Sequence, residues 1–135
     1  KIVLGTFIEV DAGPIREIAF EDRLSFEAAE REVLGVDHAE VGAALLDSWQ
    51  LPEYFVQAVR YHHQPENVHD DDITVALVHA ADNLSIQCGL GVGIDGLNYA
   101  PSEAVTARLH LTEAVLEKTA CAMLDEMERI KQTIR

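Results

Sequence analysis

An all-α fold is expected for this chain from three observations. Apolar residues recur at three- and four-residue spacing almost throughout, alternating strand patterns are nearly absent, and helix-capping signals punctuate the chain at short intervals. With 135 residues, 48% of them apolar and 25% charged, the chain has the size of one compact domain able to bury a core. The punctuation divides it into about six to seven helices.

Taken in order, "DAGP" breaks a first short apolar piece, and Pro14 sits well in the first turn of a helix over roughly 14–22. Ser25 is placed to cap a second helix, which carries Glu27 in its first turn and ends at Gly35. Asp37 caps a third, and Glu40 three residues on completes a capping box. That helix runs to about Trp49; "LPEY" restarts a fourth at Pro52, which must stop before Pro65. A fifth covers about 73–88 with Gly89 as its stop, a glycine-rich loop follows, and a short sixth lies near 102–109. The last helix runs from about Thr112 to Ile134, with Thr112 as cap and Leu111 and Leu116 as a hydrophobic staple. There is no internal repeat. The opening "KIVLGTFI" has neither an initiator Met nor a helix-start signal, as expected of a piece of a longer protein that lacks its N-terminal helices.

The charge balance excludes several classes. With 24 Asp and Glu against 10 Lys and Arg, the net charge of −14 repels a phosphate backbone, so nucleic acid is not an expected partner. No signal peptide or long apolar run appears, which argues against a membrane partner. Cys88 and Cys121 form no CxxC pair, and a reducing, cytoplasmic setting fits them.

Helical wheels sort the polar residues by face. In the third helix Val41, Gly42, Leu45 and Trp49 make the apolar stripe, and His38 falls within it. In the fourth, Pro52, Phe55, Val56 and Val59 make the stripe, with His62 and His63 flanking it. The fifth is apolar on two sides, Asp82 sits in the centre of one, and His79 lies at its boundary. A carboxylate on an apolar face needs donors or a cation. Imidazole nitrogen and carboxylate oxygen suit Zn, Fe, Mn or Ni, so His38, His62, His63 and Asp82 are candidate metal ligands. On spacing alone the plainer reading is preferred, in which buried His and Asp satisfy one another or a water without any metal.

Other candidates carry less. His69 with Asp70, Asp71 and Asp72 reads as a solvated acidic run before a helix. "GVGIDG", Gly91 to Gly96, has the letters of a dinucleotide fingerprint but follows a helix rather than a strand. His110 reads as a loop residue, and Ser48, Ser85 and Ser102 lack an activating context for a nucleophile.

The segments "EREVLGVDHAEVGAALLDSWQLPEYFVQAVRYHHQP" and "VALVHAADNLSIQCG" resemble the HDOD domain, a signalling branch of the HD metal-dependent phosphohydrolase superfamily. The pattern that carries this is E-x-x-x-L-G-x-D-H-A-x-V-G-A-x-L-L-x-x-W-x-L-P and the following HH. In the catalytic HD-GYP relatives, His38 matches the histidine after the HD dyad. His62 and His63 match their paired histidines, and Asp82 their last metal-binding aspartate. Lys1 matches the lysine of an HDIGK helix, whose dyad would fall just before this chain. The GYP motif is missing, since "QPENVHDDD" follows His63. The resemblance implies a regulatory module of a bacterial cytoplasmic signalling protein. It would bind other signalling domains or proteins, or a nucleotide-type ligand, without turnover. The alternative it implies is a metal-dependent phosphohydrolase acting on a nucleotide or phosphoester. There His38, His62, His63 and Asp82 would hold the metal, and Lys1 would stabilise phosphate charge.

Overall fold

The computed structural model describes residues 11–68, 73–90 and 101–133, and among these it contains seven α-helices and no strand. They are α1 (Ala12–Glu21), α2 (Phe26–Leu34), α3 (His38–Ser48), α4 (Glu53–Tyr61), α5 (Thr74–Gln87), α6 (Glu103–Arg108) and α7 (Glu113–Thr133). A single 3₁₀ turn, Pro65–Asn67, follows α4. None of the described helices is long and apolar enough to cross a membrane.

The expected boundaries hold within a few residues, because most of the signals behind them are local. Asp37 accepts from the Glu40 N–H at 2.8 Å while the Glu40 carboxylate accepts from the Asp37 N–H at 3.3 Å, so the capping box is complete. Gly35 ends α2 in the left-handed region (φ 76°). Thr112 accepts from the Val115 N–H at the start of α7. Ser25 differs from expectation: it stands at the N-cap position of α2, yet its hydroxyl donates to Glu27 Oε1 at 2.6 Å and accepts no backbone N–H there. Asp11, not anticipated, caps α1 by accepting from the Gly13 N–H at 2.9 Å.

The helices pack through small residues. Ala29, Ala39, Ala43, Ala58 and Ala76 are buried together with Ile15, Val56, Val75 and Val105. α1 lies on α2 through Ile15, Ala19 and Ala29, while α3 and α4 make the most extensive pairing, α4 rests on α5, and α5 on α6. Small side chains bring helix axes close, and Gly42 marks a close approach of α3 to α4. A Cβ there would stand 2.9 Å from Val59 Cγ1. For Gly42→Ala, a propensity gain of about 1 kcal/mol is outweighed by overpacking of roughly 1–3 kcal/mol. A net loss of about 1 kcal/mol is therefore expected in urea unfolding. Because α3 and α4 carry the histidines, that variant also displaces them relative to one another.

Two faces depart from the wheels. Trp49, expected inside, is 63% exposed; α3 instead buries His38, Ala39 and Ala43, one position around the helix from the Val41–Leu45–Trp49 line. On α5, Leu77 and Val78 are exposed, while Val75, Ala76 and Leu84 are buried as expected and are joined inside by His79 and Asn83. On α3 the physical reason is the close approach of α4 at Gly42, which selects small or hydrogen-bonded side chains over large apolar ones.

The α3–α4 turn is held by Gln50 at φ 56°, with Trp49 N–H donating to Leu45 O and Leu51 N–H to Leu46 O at 3.1 Å each. A non-glycine residue in this region carries roughly 1–2 kcal/mol of strain. Gln50→Gly should therefore raise stability by about 1 kcal/mol, visible as a higher melting temperature.

Candidate metal centre

The site begins with a turn between two helices. Gly35 ends α2 and Asp37 starts α3, so His38 becomes the first helical residue. Asp37 is fully buried and ion-paired to Arg31. Glu30, on the last turns of α2 and only 3% exposed, faces the same point. Its Oε2 accepts from the His38 backbone N–H at 2.9 Å and pairs with His38 Nδ1 at 2.5 Å. A proton on Nδ1 turns the lone pair of His38 to Nε2, and the buried carboxylate fixes the ring's direction.

The second component is the end of α4. Pro65 enforces a stop, and His62 is the C-cap residue. His62 Nδ1 donates to Val59 O at 2.7 Å, which again directs the lone pair to Nε2. His63 brings its Nε2 to 3.0 Å from His38 Nε2. Ring centroids are 4.9 Å apart for His38 and His63, 5.7 Å for His38 and His62, and 3.8 Å for His62 and His63. One nitrogen from each of the three lies within 4.8 Å of the others.

Asp82, on α5, approaches from behind. Its Oδ2 lies 3.8 Å from His63 Nδ1, the nitrogen on the far side from His38. The Asp82 side chain is about a third exposed, yet Oδ2 itself is buried and accepts no hydrogen bond among the described residues. Of the four residues expected as ligands, the structure gathers three imidazoles and sets the carboxylate against the outer face of one of them. Glu30 with His38 and Asp82 with His63 therefore form two carboxylate–imidazole pairs aimed inward.

These residues fit a divalent transition metal. Two nitrogen ligands at about 2.0–2.1 Å from a tetrahedral ion stand roughly 3.3–3.4 Å apart, so the 3.0 Å His38–His63 spacing needs an opening of a few tenths of an ångström. A cation that draws His63 Nε2 acidifies Nδ1–H and gives Asp82 Oδ2 the donor it lacks.

His79, expected at a boundary or on the surface, is instead 3% exposed. Its Nδ1 donates to the His62 carbonyl at 2.6 Å and its Nε2 accepts from the Ser102 N–H at 3.1 Å. With both nitrogens committed to backbone, His79 braces the end of α4 against the start of α6. Its signal in the sequence was the i, i+3, i+7 line of Ala76, His79 and Asn83, now seen to be buried on α5. Glu66 stands at the same junction, where a hydrogen bond with the Ser102 side chain holds its carboxyl below the usual range. Glu30 was also missed as a site residue. His110 lies, as expected, in the loop between α6 and α7. Lys1, His69 with Asp70 to Asp72, and Gly91 to Gly96 lie outside the described residues.

The HDOD domain family model matches residues 1–65, and the matched segment belongs to that family. Among solved structures, the chain is similar to an HDOD domain protein of unknown function from Geobacter sulfurreducens. The two share 28% identity with a TM-score of 0.59, over 84% of this chain and 41% of that one. The chain thus spans about two fifths of the length of that protein. No curated protein matches it.

Proposed function

We propose that this HDOD domain is a regulatory binding module of bacterial cytoplasmic signalling, in which His38, His62 and His63 hold one divalent transition metal ion. The observation that carries the reading is the convergence of three imidazole nitrogens within 4.8 Å of one another from α3 and the end of α4. Zn, Fe, Ni and Mn all accept such donors, with nitrogen-rich sets favouring the first three. Binding without turnover is supported by the placement of the nearby acids. Glu30 is consumed by His38, and Asp82 is directed at His63, so neither described carboxylate is placed as a general base. The partners of this reading are other signalling domains or proteins, or a nucleotide-type ligand.

One observation favours the second reading, a metal-dependent phosphohydrolase. Three protein ligands leave a fourth tetrahedral position open, which is the arrangement of catalytic rather than structural sites. An ion bound there would supply Lewis acidity and a more acidic water. The two readings separate in one experiment on protein purified without an affinity tag. Elemental analysis is expected to find about one transition metal per chain, with no hydrolysis of p-nitrophenyl phosphate or its bis-ester under added Mn or Ni. Hydrolysis that disappears in a His62→Ala, His63→Ala variant would establish the phosphohydrolase instead.

A further inference from the structure

The α3–α4 turn concentrates aromatic side chains at the surface. Trp49, Leu51, Tyr54 and Phe55 fall within seven residues and are 63%, 39%, 46% and 46% exposed. The Tyr54 and Phe55 rings lie with centroids 4.2 Å apart. The chain has only eight Phe, Trp and Tyr residues in all, so placing three of them here, outward, is a costly choice for a thin core to make. The turn presenting them is fixed by backbone hydrogen bonds through the left-handed Gln50. Rigid, exposed Trp and Tyr with adjacent aliphatic surface are the composition of binding hot spots.

Charge selects the occupant. From Glu32 to Val59 the chain contains no Lys or Arg, while Glu40, Asp47 and Glu53 are exposed along α3 and α4. Arg31, at the edge of this stretch, is already paired with Asp37. The one cation on these two helices, Arg60, stands in the last turn of α4, away from the patch, so the aromatic cluster beside Asp47 and Glu53 repels nucleic acid and anionic lipid, and a second copy of this chain brings its own net charge of −14. We infer that the patch is a docking site for a basic, amphipathic helix of a partner protein. Such a helix sets apolar anchors at i, i+3, i+4 and i+7 on the aromatic cluster, and its lysines or arginines meet the surrounding acids. The site is formed by the opposite end of α4 from His62 and His63, and it stands whether or not those residues hold a metal.

Trp49 is the chain's one tryptophan, so its emission reports the patch directly. The whole chain is titrated with a synthetic peptide of about 18 residues, Leu at those helical positions and Lys elsewhere, in about 0.15 M salt. A control peptide keeps the lysines and replaces every Leu with Gln. The expected result is a saturable blue shift with the Leu/Lys peptide and none with the control. A Leu51→Ser, Tyr54→Ser variant that retains its helical circular dichroism should bind about tenfold or more weakly. Phe20→Ser, which alters an aromatic of similar exposure on α1, should bind unchanged. Absence of a shift, an equal shift with the control, or equal weakening by Phe20→Ser overturns the proposal. So does a blue shift produced by raising protein concentration alone, which would make the patch a self-association surface.

Discussion

Glu30→Ala is expected to cost about 3 kcal/mol of stability in urea unfolding and to weaken metal binding by roughly 10- to 100-fold. The stability loss comes from what is left behind. Two donors of His38, the backbone N–H and Nδ1–H, lose a buried acceptor, and neither can be reached by water where the group is. The affinity loss has a separate cause, because without the carboxylate the ring can turn and either nitrogen can carry the proton. Glu30→Gln distinguishes the two. It keeps the shape and one acceptor, so about half of the stability should return, while the ring's basicity and hence metal affinity stay reduced. Were Glu30→Ala as stable as the parent, the pair would be an incidental contact.

The second large effect is expected from His62→Ala, His63→Ala. Structural zinc sites supply about 10–16 kcal/mol from four ligands, so loss of two of three should weaken binding by on the order of 10³-fold or more in calorimetric titration. The fold should survive with a loss of about 1 kcal/mol, because the brace to His79 uses the His62 carbonyl and not its side chain. Collapse of the fold in this variant would mean that the imidazoles serve the core.

How far the sequence could be read depended on how local each determinant is. Asp37 and Glu40 satisfy each other across one turn, and the start of α3 at His38 was legible from four letters. Gly35, Gly89 and Thr112 were readable for the same reason. Trp49 was misplaced because a wheel assigns the stripe by hydrophobicity alone, whereas the approach of α3 to α4 at Gly42 and Val59 decides which side is inside. His38, His62 and His63 were legible as inward groups. Their convergence, and the position of Asp82 behind His63, depend on how α4 crosses α3 and α5, which no wheel contains. Glu30 acts across eight residues and a turn, and His79 acts through backbone atoms of other segments. Neither partnership leaves a periodic trace.

The central claim is that His38, His62 and His63 form a metal site, and the direct measurement is urea unfolding of chelator-treated, untagged protein with and without added Zn or Ni. At a metal concentration about 100 times the dissociation constant, the parent should gain about 2.7 kcal/mol. The His62→Ala, His63→Ala variant should gain nothing under the same conditions. No stabilisation of the parent, or an equal gain in the variant, would contradict the assignment.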